Sequence, residues 1–428
     1  MQTIRKLQIR ILPYILLLYI ISYLDRINIG FAALTMNQEL GITSQQFGLL
    51  VGLFFISYSL FEIPSNLILH KVGARVWIAR ILIVWGIVAA LTGFVLTVHQ
   101  LYIMRFLLGL GEAGFYPGIL LYLTSWFRRR EQAQAIAMFM TGVPISNILG
   151  APLSGLILDH MHWLGMSSWR WLMVLEGLPA VIFGALTYFL LPNRPAEARF
   201  LTENEKGWIT TQLQEEEKER HETHHISAAG ALVHWRVWHL ALAALVFGAA
   251  HYALFFWMPQ IVKTRSSGYS NTTIGILVMI PYLAGLLVMI PVSRSSDRKL
   301  ERRWHVAIPA MIAGMACLTL GATHSMFLAV ALLSVAVGCI CSYLGPFWAL
   351  PSDFLTGASA ASGIALITTF VNLGGFFGPY AFGFIRQKTD SFYGGLAIDG
   401  IVLFAFATLV LLLPGVSRRL GKEPSRVT

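Results

Sequence analysis

Four charged residues stand inside two apolar stretches of the chain. Asp25 and Arg26 are adjacent in the first stretch, and Arg105 and Glu112 lie seven residues apart in a later one. Charges in such stretches are costly and mark ion pathways, proton relays or ligand sites. Seven residues are nearly two turns of an α-helix, so Arg105 and Glu112 share a helix face, about 10 Å apart along the axis. One cavity can therefore contact both.

The residue types around these charges indicate a chemistry of proton and anion exchange. Glycines at positions 109, 111, 114 and 118 let a neighbouring helix approach closely, which favours an ion pair between Arg26 and Glu112. Burial and a nearby arginine together control whether a carboxylate holds a proton. We expect Asp25 and Glu112 to carry protons, and Arg26 and Arg105 to bind an anion. The alternative is that the four charges only hold helices together.

Polar side chains elsewhere are weaker candidates. Tyr58, Tyr252 and Asn372 are predicted to lie at mid-membrane depth, where substrate contact and interhelical hydrogen bonding are equally good explanations. Glu176 and the remaining acids near the apolar stretches are expected to be structural. Trp257, which lies near the end of an apolar stretch, is expected to anchor the protein at the membrane surface. We predict no metal site, because the cysteines and histidines lack metal-ligand spacing, and no cofactor other than transported protons.

The elements that position these residues are transmembrane helices. The chain has 428 residues, of which 56% are hydrophobic and 12% charged. One soluble core could not bury this much apolar surface. We predict an all-α membrane protein with about twelve transmembrane helices, each about 20 residues long. The first is a true span and not a cleaved signal, because its apolar stretch is too long. The spans are expected to begin near positions 11, 47, 77, 101, 132, 170, 238, 273, 305, 325, 361 and 396.

Landmarks that repeat at an interval of 227 residues divide the chain into two related halves. Pro152 corresponds to Pro379, and the basic turn at residues 70–75 corresponds to the turn that begins at Asp297. We therefore predict two pseudo-symmetric six-helix bundles, at residues 1–191 and 237–428, joined by a linker at residues 192–236. The same interval places Tyr252 opposite Asp25, Leu332 opposite Arg105 and Cys339 opposite Glu112. Only the first half carries the set of four charges.

The basic residues predict how the chain is oriented in its membrane. Counted in alternate segments outside the spans, 23 of the 31 Lys and Arg residues are in one set and 5 in the other. Basic residues concentrate on the cytoplasmic side, so both termini and the linker are expected there, in a bacterial inner membrane. The net charge of +10 therefore reports topology, and we expect no nucleic-acid partner.

Several motifs resemble the major facilitator superfamily, and more narrowly its anion:cation symporter family. They are residues 23–32 (YLDRINIGFA), 63–66 (IPSN), 73–75 (GAR), 111–118 (GEAGFYPG) and 191–202 (LPNRPAEARFLT). The resemblance implies proton-driven uptake of organic anions such as tartrate, sugar acids or aromatic carboxylates, by a monomer.

In such relatives, residues matching Asp25 and Glu112 handle protons, and those matching Arg26, Tyr58, Arg105 and Asn372 line the site. We assign Arg75, Asp297 and Arg298 to the gating loops. The sequence departs from the superfamily pattern because Asn66 and His70 replace the usual Gly and Asp.

These observations predict a proton-coupled symporter that imports a small organic anion by alternating access, with tartrate-like or aldonate sugar acids ahead of aromatic carboxylates. The alternatives are a drug exporter and a membrane sensor for anions. No nucleophile, base and orienting group converge in the sequence, so an enzyme is not expected.

Overall fold

The computed structural model describes residues 2–222, 228–266, 268–355 and 357–413, which form α-helices joined by short loops and turns. The first half contains α1 (Gln2–Glu39), α2 (Ser44–Val72), α3 (Ala74–Thr92), α4 (Val98–Glu112), α5 (Phe115–Thr124), α6 (Arg129–Met140), α7 (Gly142–His160) and α8 (Ser168–Leu190). The linker contains α9 (Glu203–Glu222) and α10 (Ala228–Val233). The second half contains α11 (Trp235–Thr264), α12 (Asn271–Lys299), α13 (Arg303–Ala322), α14 (Met326–Ala349), α15 (Gly357–Thr389) and α16 (Phe392–Leu412).

Twelve stretches of these helices are long and apolar enough to cross a membrane. The α4 and α5 helices together make one of them, and α6 and α7 make another. The prediction of an all-α protein with about twelve spans is confirmed. The described helices place six spans before the linker helices and six after them.

The two halves pack on each other through α2 against α15, α7 against α12, and α1 against α11. Small residues make the contact close. A Cβ atom added to Gly48 of α2 would lie 2.4 Å from the carbonyl oxygen of Pro379, and one added to Gly275 of α12 would lie 2.2 Å from that of Ala151. Only glycine allows backbones to approach this closely.

Hydrogen bonds between the halves lie at one end of the bundle, here called the sealed end, where α1 ends and α2 and α12 begin. The Ser44 amide donates to Gln387 at 3.1 Å, and the Gln45 side chain donates to Tyr380 at 3.0 Å. Asp159 at the end of α7 accepts from Asn271 and Thr272 at the start of α12. The chain's N-terminal helix start and the linker lie at the opposite end.

The opposite end, here called the open end, is less tightly packed along α2. Gly52 packs on Phe376, whereas Ile63, three turns later on nearly the same face, is 68% exposed. The halves therefore diverge from the sealed end towards the open end.

Trp257 corrects one sequence-based expectation. Its side chain is fully buried, it packs edge-on against Phe47 of the other half, and its ring nitrogen donates to Pro379. The prediction of a surface anchor was wrong. A large aromatic side chain is stabilised at the membrane surface but also in the interface between the halves, and Trp257 lies in the interface.

Candidate functional site

The centre of the site is an ion pair between α1 and α4. The Arg26 guanidinium donates to Glu112 Oε1 through Nη2 at 2.5 Å and through Nε at 2.9 Å. The Ser22 hydroxyl, one turn earlier on α1, donates to the same oxygen at 2.9 Å. Glu112 is 2% exposed. The pair that the glycine spacing predicts is present, and three donors meet on one carboxylate oxygen.

A break in the fourth span determines where Glu112 lies. Glu112 is the last residue of α4, and α5 begins at Phe115 after Gly114, whose φ of 85° is in the left-handed region. Gly114 is required there for a second reason, since a Cβ atom would lie 2.3 Å from the Ser65 hydroxyl of α2. The carbonyl end of a helix repels negative charge, so the Glu112 carboxylate depends on Arg26 for compensation.

Asp25 has different partners from Glu112, although it is adjacent to Arg26 in the chain. The indole nitrogen of Trp85, on α3, donates to Oδ2 at 2.5 Å, and the Asn28 amide donates to Oδ1 at 3.2 Å. Asp25 is 3% exposed. Two neutral donors therefore hold this buried acid, and no ion pair forms with it in the described part of the chain.

Arg105 supplies a second buried cation, and one of its donors is unused within the described ranges. It is 3% exposed, and its Nε group has no hydrogen-bond partner among the described residues. Its guanidinium carbon lies 5.6 Å from the centre of the Phe54 ring, and Glu112 and Asp25 are the acids that act on its charge. A buried guanidinium with a free donor is a ready site for a carboxylate.

Aromatic rings from both halves surround the ion pair. The guanidinium of Arg26 lies 5.2 to 5.4 Å from the ring centres of Tyr23, Phe54 and Tyr58. From the second half, Tyr252 of α11 packs on Phe55 of α2, with 4.3 Å between the ring centres. Tyr58 thus lies beside Arg26, and Tyr252 packs on the neighbouring Phe55. A cation–π cage of this kind holds Arg26 without a second carboxylate.

Asn372 lies in the second half, on α15, and its relation to the charges is less direct. It is 7% exposed, and its Nδ2 group is buried without a partner in the described ranges. Gly375, one turn later, packs on Phe55. Asn372 therefore faces the same interface as Phe55 and Tyr252, but no hydrogen bond connects it to the four charged residues within the described chain.

The residues assigned to the gating loops lie at the open end. Arg75, at the start of α3, donates to the Leu191 carbonyl at 2.7 Å and pairs with Glu197 of the linker at 2.9 Å. Asp297 pairs with Arg302 at 3.1 Å. Arg298 is exposed beside them. These contacts stay within one half or join it to the linker, and they leave the open end free to close.

The sequence analysis missed Asp159, which joins the halves at the sealed end. Its Oδ1 accepts from the Asn271 amide and side chain at 3.0 and 2.9 Å, and its Oδ2 accepts from the Thr272 amide and hydroxyl at 2.7 Å each. One signal was available. An acid in the last turn of a helix opposes the helix dipole and so requires donors from another element.

This arrangement can exchange one anion for another. With all four groups ionised, the site holds two positive and two negative charges. A proton on Glu112 would release Arg26 and leave one positive charge in excess, which a carboxylate ligand neutralises. The aromatic hydroxyls of Tyr23, Tyr58 and Tyr252 add hydrogen-bonding groups for a hydroxylated ligand.

Comparisons with known proteins identify relatives of this chain. The family model described as Major Facilitator Superfamily matches residues 15–379, with a second match at residues 263–427. A protein of Agrobacterium vitis whose name proposes tartrate transport is 45% identical over 416 residues, which cover 96% of this chain and 91% of that protein. A quinolone resistance transporter of Acinetobacter baumannii is 38% identical over 400 residues, covering 94% and 92%.

A solved structure shows the same fold at low sequence identity. It is a bacterial homologue of the human lysosomal transporter Spinster in an inward-facing, occupied conformation, with a TM-score of 0.75 and 17% identity, covering 94% of this chain and 96% of that one. The fold is therefore that of a multi-pass membrane transporter, and the match of the family model extends over most of the chain. This chain belongs to the major facilitator superfamily.

Proposed function

We propose that this protein is a proton-coupled symporter that imports a small organic anion across a bacterial inner membrane, working as a monomer with protons as its only coupling ion. The observation that carries the proposal is the pairing of Arg26 with Glu112 beside a second buried arginine, Arg105, whose Nε lacks a hydrogen-bond partner among the described residues. One cation is held by a protonatable group, and the other is available to a ligand.

Protonation of Glu112 is the switch in this mechanism. A neutral carboxyl no longer holds Arg26 by charge, so Arg26 and Arg105 can bind a carboxylate together. Loss of the proton restores the Arg26–Glu112 pair and expels the anion. The substrate and proton thus enter together and leave together, because each stabilises the state that binds the other.

The closed contacts at one end support alternating access. The basic-residue distribution predicts that the open end is cytoplasmic, and the hydrogen bonds of Asp159 and Gln387 close the opposite end. The conformation described here is then inward-facing. Uptake requires that these contacts break and that the open end closes in turn.

The substrate class follows from the polar and aromatic groups together. Two arginines suit a carboxylate, and tyrosine hydroxyls suit a hydroxylated chain, which favours tartrate-like or aldonate acids. The name of the A. vitis relative points to the same class. Aromatic carboxylates are the next candidates, because Phe54, Phe55 and Tyr252 could pack against a planar ring.

Uptake into proteoliposomes tests the proposal. Labelled tartrates, aldonates and aromatic carboxylates are offered with and without a proton gradient, to the wild type and to Glu112→Gln. We expect the gradient to drive accumulation in the wild type only, while exchange of labelled for unlabelled anion across the membrane, or counterflow, persists in the variant. Equilibration that ignores the gradient would contradict symport.

Export of amphipathic drugs is the second candidate, favoured by the quinolone resistance relative and by the aromatic lining. An exporter would expel a labelled fluoroquinolone from vesicles in exchange for protons and would ignore the acids. A sensor would bind an anion without moving it. The same vesicles therefore separate the three alternatives.

A further inference from the structure

A row of exposed side chains follows α12 and changes from apolar to basic near the end of the helix. Four apolar members recur every three or four residues, which places them on one helix face. They are Ile276, Ile280, Leu283 and Leu287, and they are 37% to 73% exposed. Ile290, Arg294 and Arg298 continue the same spacing and are exposed as well. One face of α12 is therefore apolar for most of its length and ends in two cations.

The protein neighbours of α12 lie on its other sides. Gly275 packs on Ala151 of α7, and Gly285 packs on Cys341 of α14. Gly285 is nine residues after Ile276, which is two and a half helical turns, so it points in the opposite direction. The exposed row therefore faces away from the neighbouring helices, and in a membrane its apolar part faces lipid.

The length of α12 indicates the depth of the two arginines. The helix begins at Asn271, at the sealed end. Arg294 comes 23 residues later, which corresponds to about 35 Å of helix, whereas the hydrocarbon core of a bilayer is about 30 Å thick. Arg294 and Arg298 therefore lie at the level of the lipid headgroups, at the open end of the protein.

A cavity of about 420 Å³ lies beside these arginines. Its lining residues all belong to the last turns of α12 and are Ile290, Pro291, Arg294, Ser295, Arg298 and Lys299. The lining is thus apolar towards the middle of the membrane and basic towards the open end. A ligand that matches both parts has an apolar body and an anionic head.

The positive charge of the cavity is not neutralised by the acids that follow it in the chain. Asp297 is paired with Arg302 at 3.1 Å, and Glu301 is hydrogen-bonded to His305 at 2.8 Å. Within the described ranges, the three basic side chains that line the cavity form no ion pair with an acid. Their charge is therefore available to an anionic ligand.

The related helix of the first half shows that this charge is not a general requirement of the fold. At the interval of 227 residues, the lining positions correspond to Ile63, Pro64, Leu67, Ile68, Lys71 and Val72 of α2. The Ile-Pro pair is the same in both helices, which fixes the register. Only one of the next four positions is basic in α2, whereas three are basic in α12. Orientation in the membrane alone does not account for this difference.

We propose that this cavity binds a phospholipid with an anionic headgroup. Arg294 and Arg298, one helical turn apart, hold the phosphate, because guanidinium groups pair with phosphate oxygens through two donors each. Lys299 adds charge from the other side of the cavity, and an acyl chain lies along the exposed row at Leu287 and Ile290. The apolar row favours a lipid over a free anion, which would make no use of it. The site is separate from the central charges and does not rest on the proposed function.

Native mass spectrometry of the detergent-purified protein tests the site, since it counts bound lipid molecules. Dioleoyl phosphatidylglycerol, which is anionic, or dioleoyl phosphatidylcholine, which is zwitterionic, is added in rising amounts. We expect the wild type to retain the anionic lipid in preference. A basic residue near an anionic headgroup contributes about fivefold to binding, so Arg294→Gln should weaken retention of the first phosphatidylglycerol about fivefold and the double variant with Arg298→Gln about thirtyfold.

The charge-matched control is the double variant Lys71→Gln with Arg130→Gln, which removes two exposed basic residues of the first half. It should retain phosphatidylglycerol as the wild type does, and thermal unfolding in phosphatidylcholine should be the same for all variants, because the altered side chains are exposed. Equal weakening in the two double variants would mean attraction by the basic surface as a whole and would overturn the site.

Two further outcomes would also overturn the proposal. Equal retention of phosphatidylcholine and phosphatidylglycerol by the wild type would show that the headgroup charge is not recognised. Loss of phosphatidylglycerol on addition of inorganic phosphate alone would identify a site for a free anion. None of these measurements uses transport, so failure of the proposed symport would leave the lipid result standing.

Discussion

The two halves of this protein share one plan for beginning a helix at the sealed end but differ in the charge that completes it. In the first half, Thr43 caps the amide of Gln46 at the start of α2, and in the second half Ser270 caps the amide of Thr273 at the start of α12. These positions are 227 residues apart, the interval that relates the halves in the sequence. Other amides at each helix start, which have no acceptor within the helix, donate to side chains of the opposite half.

The side chains that accept from these helix-start amides differ between the two halves. The start of α12 receives Asp159, a carboxylate with four hydrogen bonds, whereas the start of α2 receives Gln387, a neutral amide with one. The central site shows the same bias, because Glu112 and Arg105 of the first half correspond to Cys339 and Leu332. The first half thus supplies charge in both places, and the second supplies the neutral surface that packs against it.

The largest expected effect is at the central site. We predict that Arg105→Gln raises the apparent KM for a carboxylate substrate about tenfold to a hundredfold, because a charged hydrogen bond contributes about 1.5–3 kcal/mol. Cys339→Ala, at the position related to Glu112, is the control from the second half and should bind as the wild type does. Initial rates of uptake measure both, and equal effects in the two variants would remove the distinction between the halves.

The contact of Asp159 with the start of α12, here called the charged seal, should have the next largest effect. Asp159→Ala leaves two helix-start amides of α12 without acceptors, and we expect it to destabilise the sealed state by about 2 kcal/mol, or about thirtyfold in the ratio of sealed to unsealed molecules. Spin labels on cysteines introduced at Gln38 and Tyr269 report the separation of the halves. Asp159→Asn keeps one acceptor oxygen and should fall between. A distance distribution unchanged by Asp159→Ala would contradict the seal.

The contact of Gln387 with the start of α2, here called the neutral seal, should have a smaller effect. Gln387→Ala removes one hydrogen bond from the Ser44 amide, and we expect a loss of about 1 kcal/mol, or about fivefold in the same ratio. The same pair of labels measures it. If Gln387→Ala opened the sealed end as far as Asp159→Ala does, the two seals would be equivalent in spite of their different charge.

The smallest effect comes from making the seals alike. Gln387→Glu places a carboxylate at the start of α2, and a negative charge there stabilises a helix by about 0.3–1 kcal/mol. We expect the ratio of sealed to unsealed molecules to rise about twofold and outward opening to slow. A fall in the sealed population would show that burial of the new charge costs more than the helix terminus returns.

Much of the fold could be predicted because lipid imposes simple rules. A span requires about 20 apolar residues, so twelve spans could be counted from hydropathy, and basic residues predicted their orientation. The costly charges Asp25, Arg26, Arg105 and Glu112 were visible for the same reason, since a charge in an apolar stretch has few explanations. The spacing of glycines in the fourth span was enough to favour the Arg26–Glu112 pair.

Tertiary structure decided which of the remaining polar groups form hydrogen bonds with one another. Asp159 and Gln387 lie at helix ends, where polar residues are ordinary, and only packing of the halves reveals that they hold the helix starts of the other half. Glu176 is in the same position, because only the packing of α7 on α8 shows that the Ser154 hydroxyl donates to it. Sequence determines which side chains cannot face lipid, because that depends on each residue's own solvation. Their partners depend on contacts between residues far apart in the chain, which are separated by 86 positions for Arg26 and Glu112 and by 112 for Asp159 and Asn271, and the packing of the helices decides these contacts.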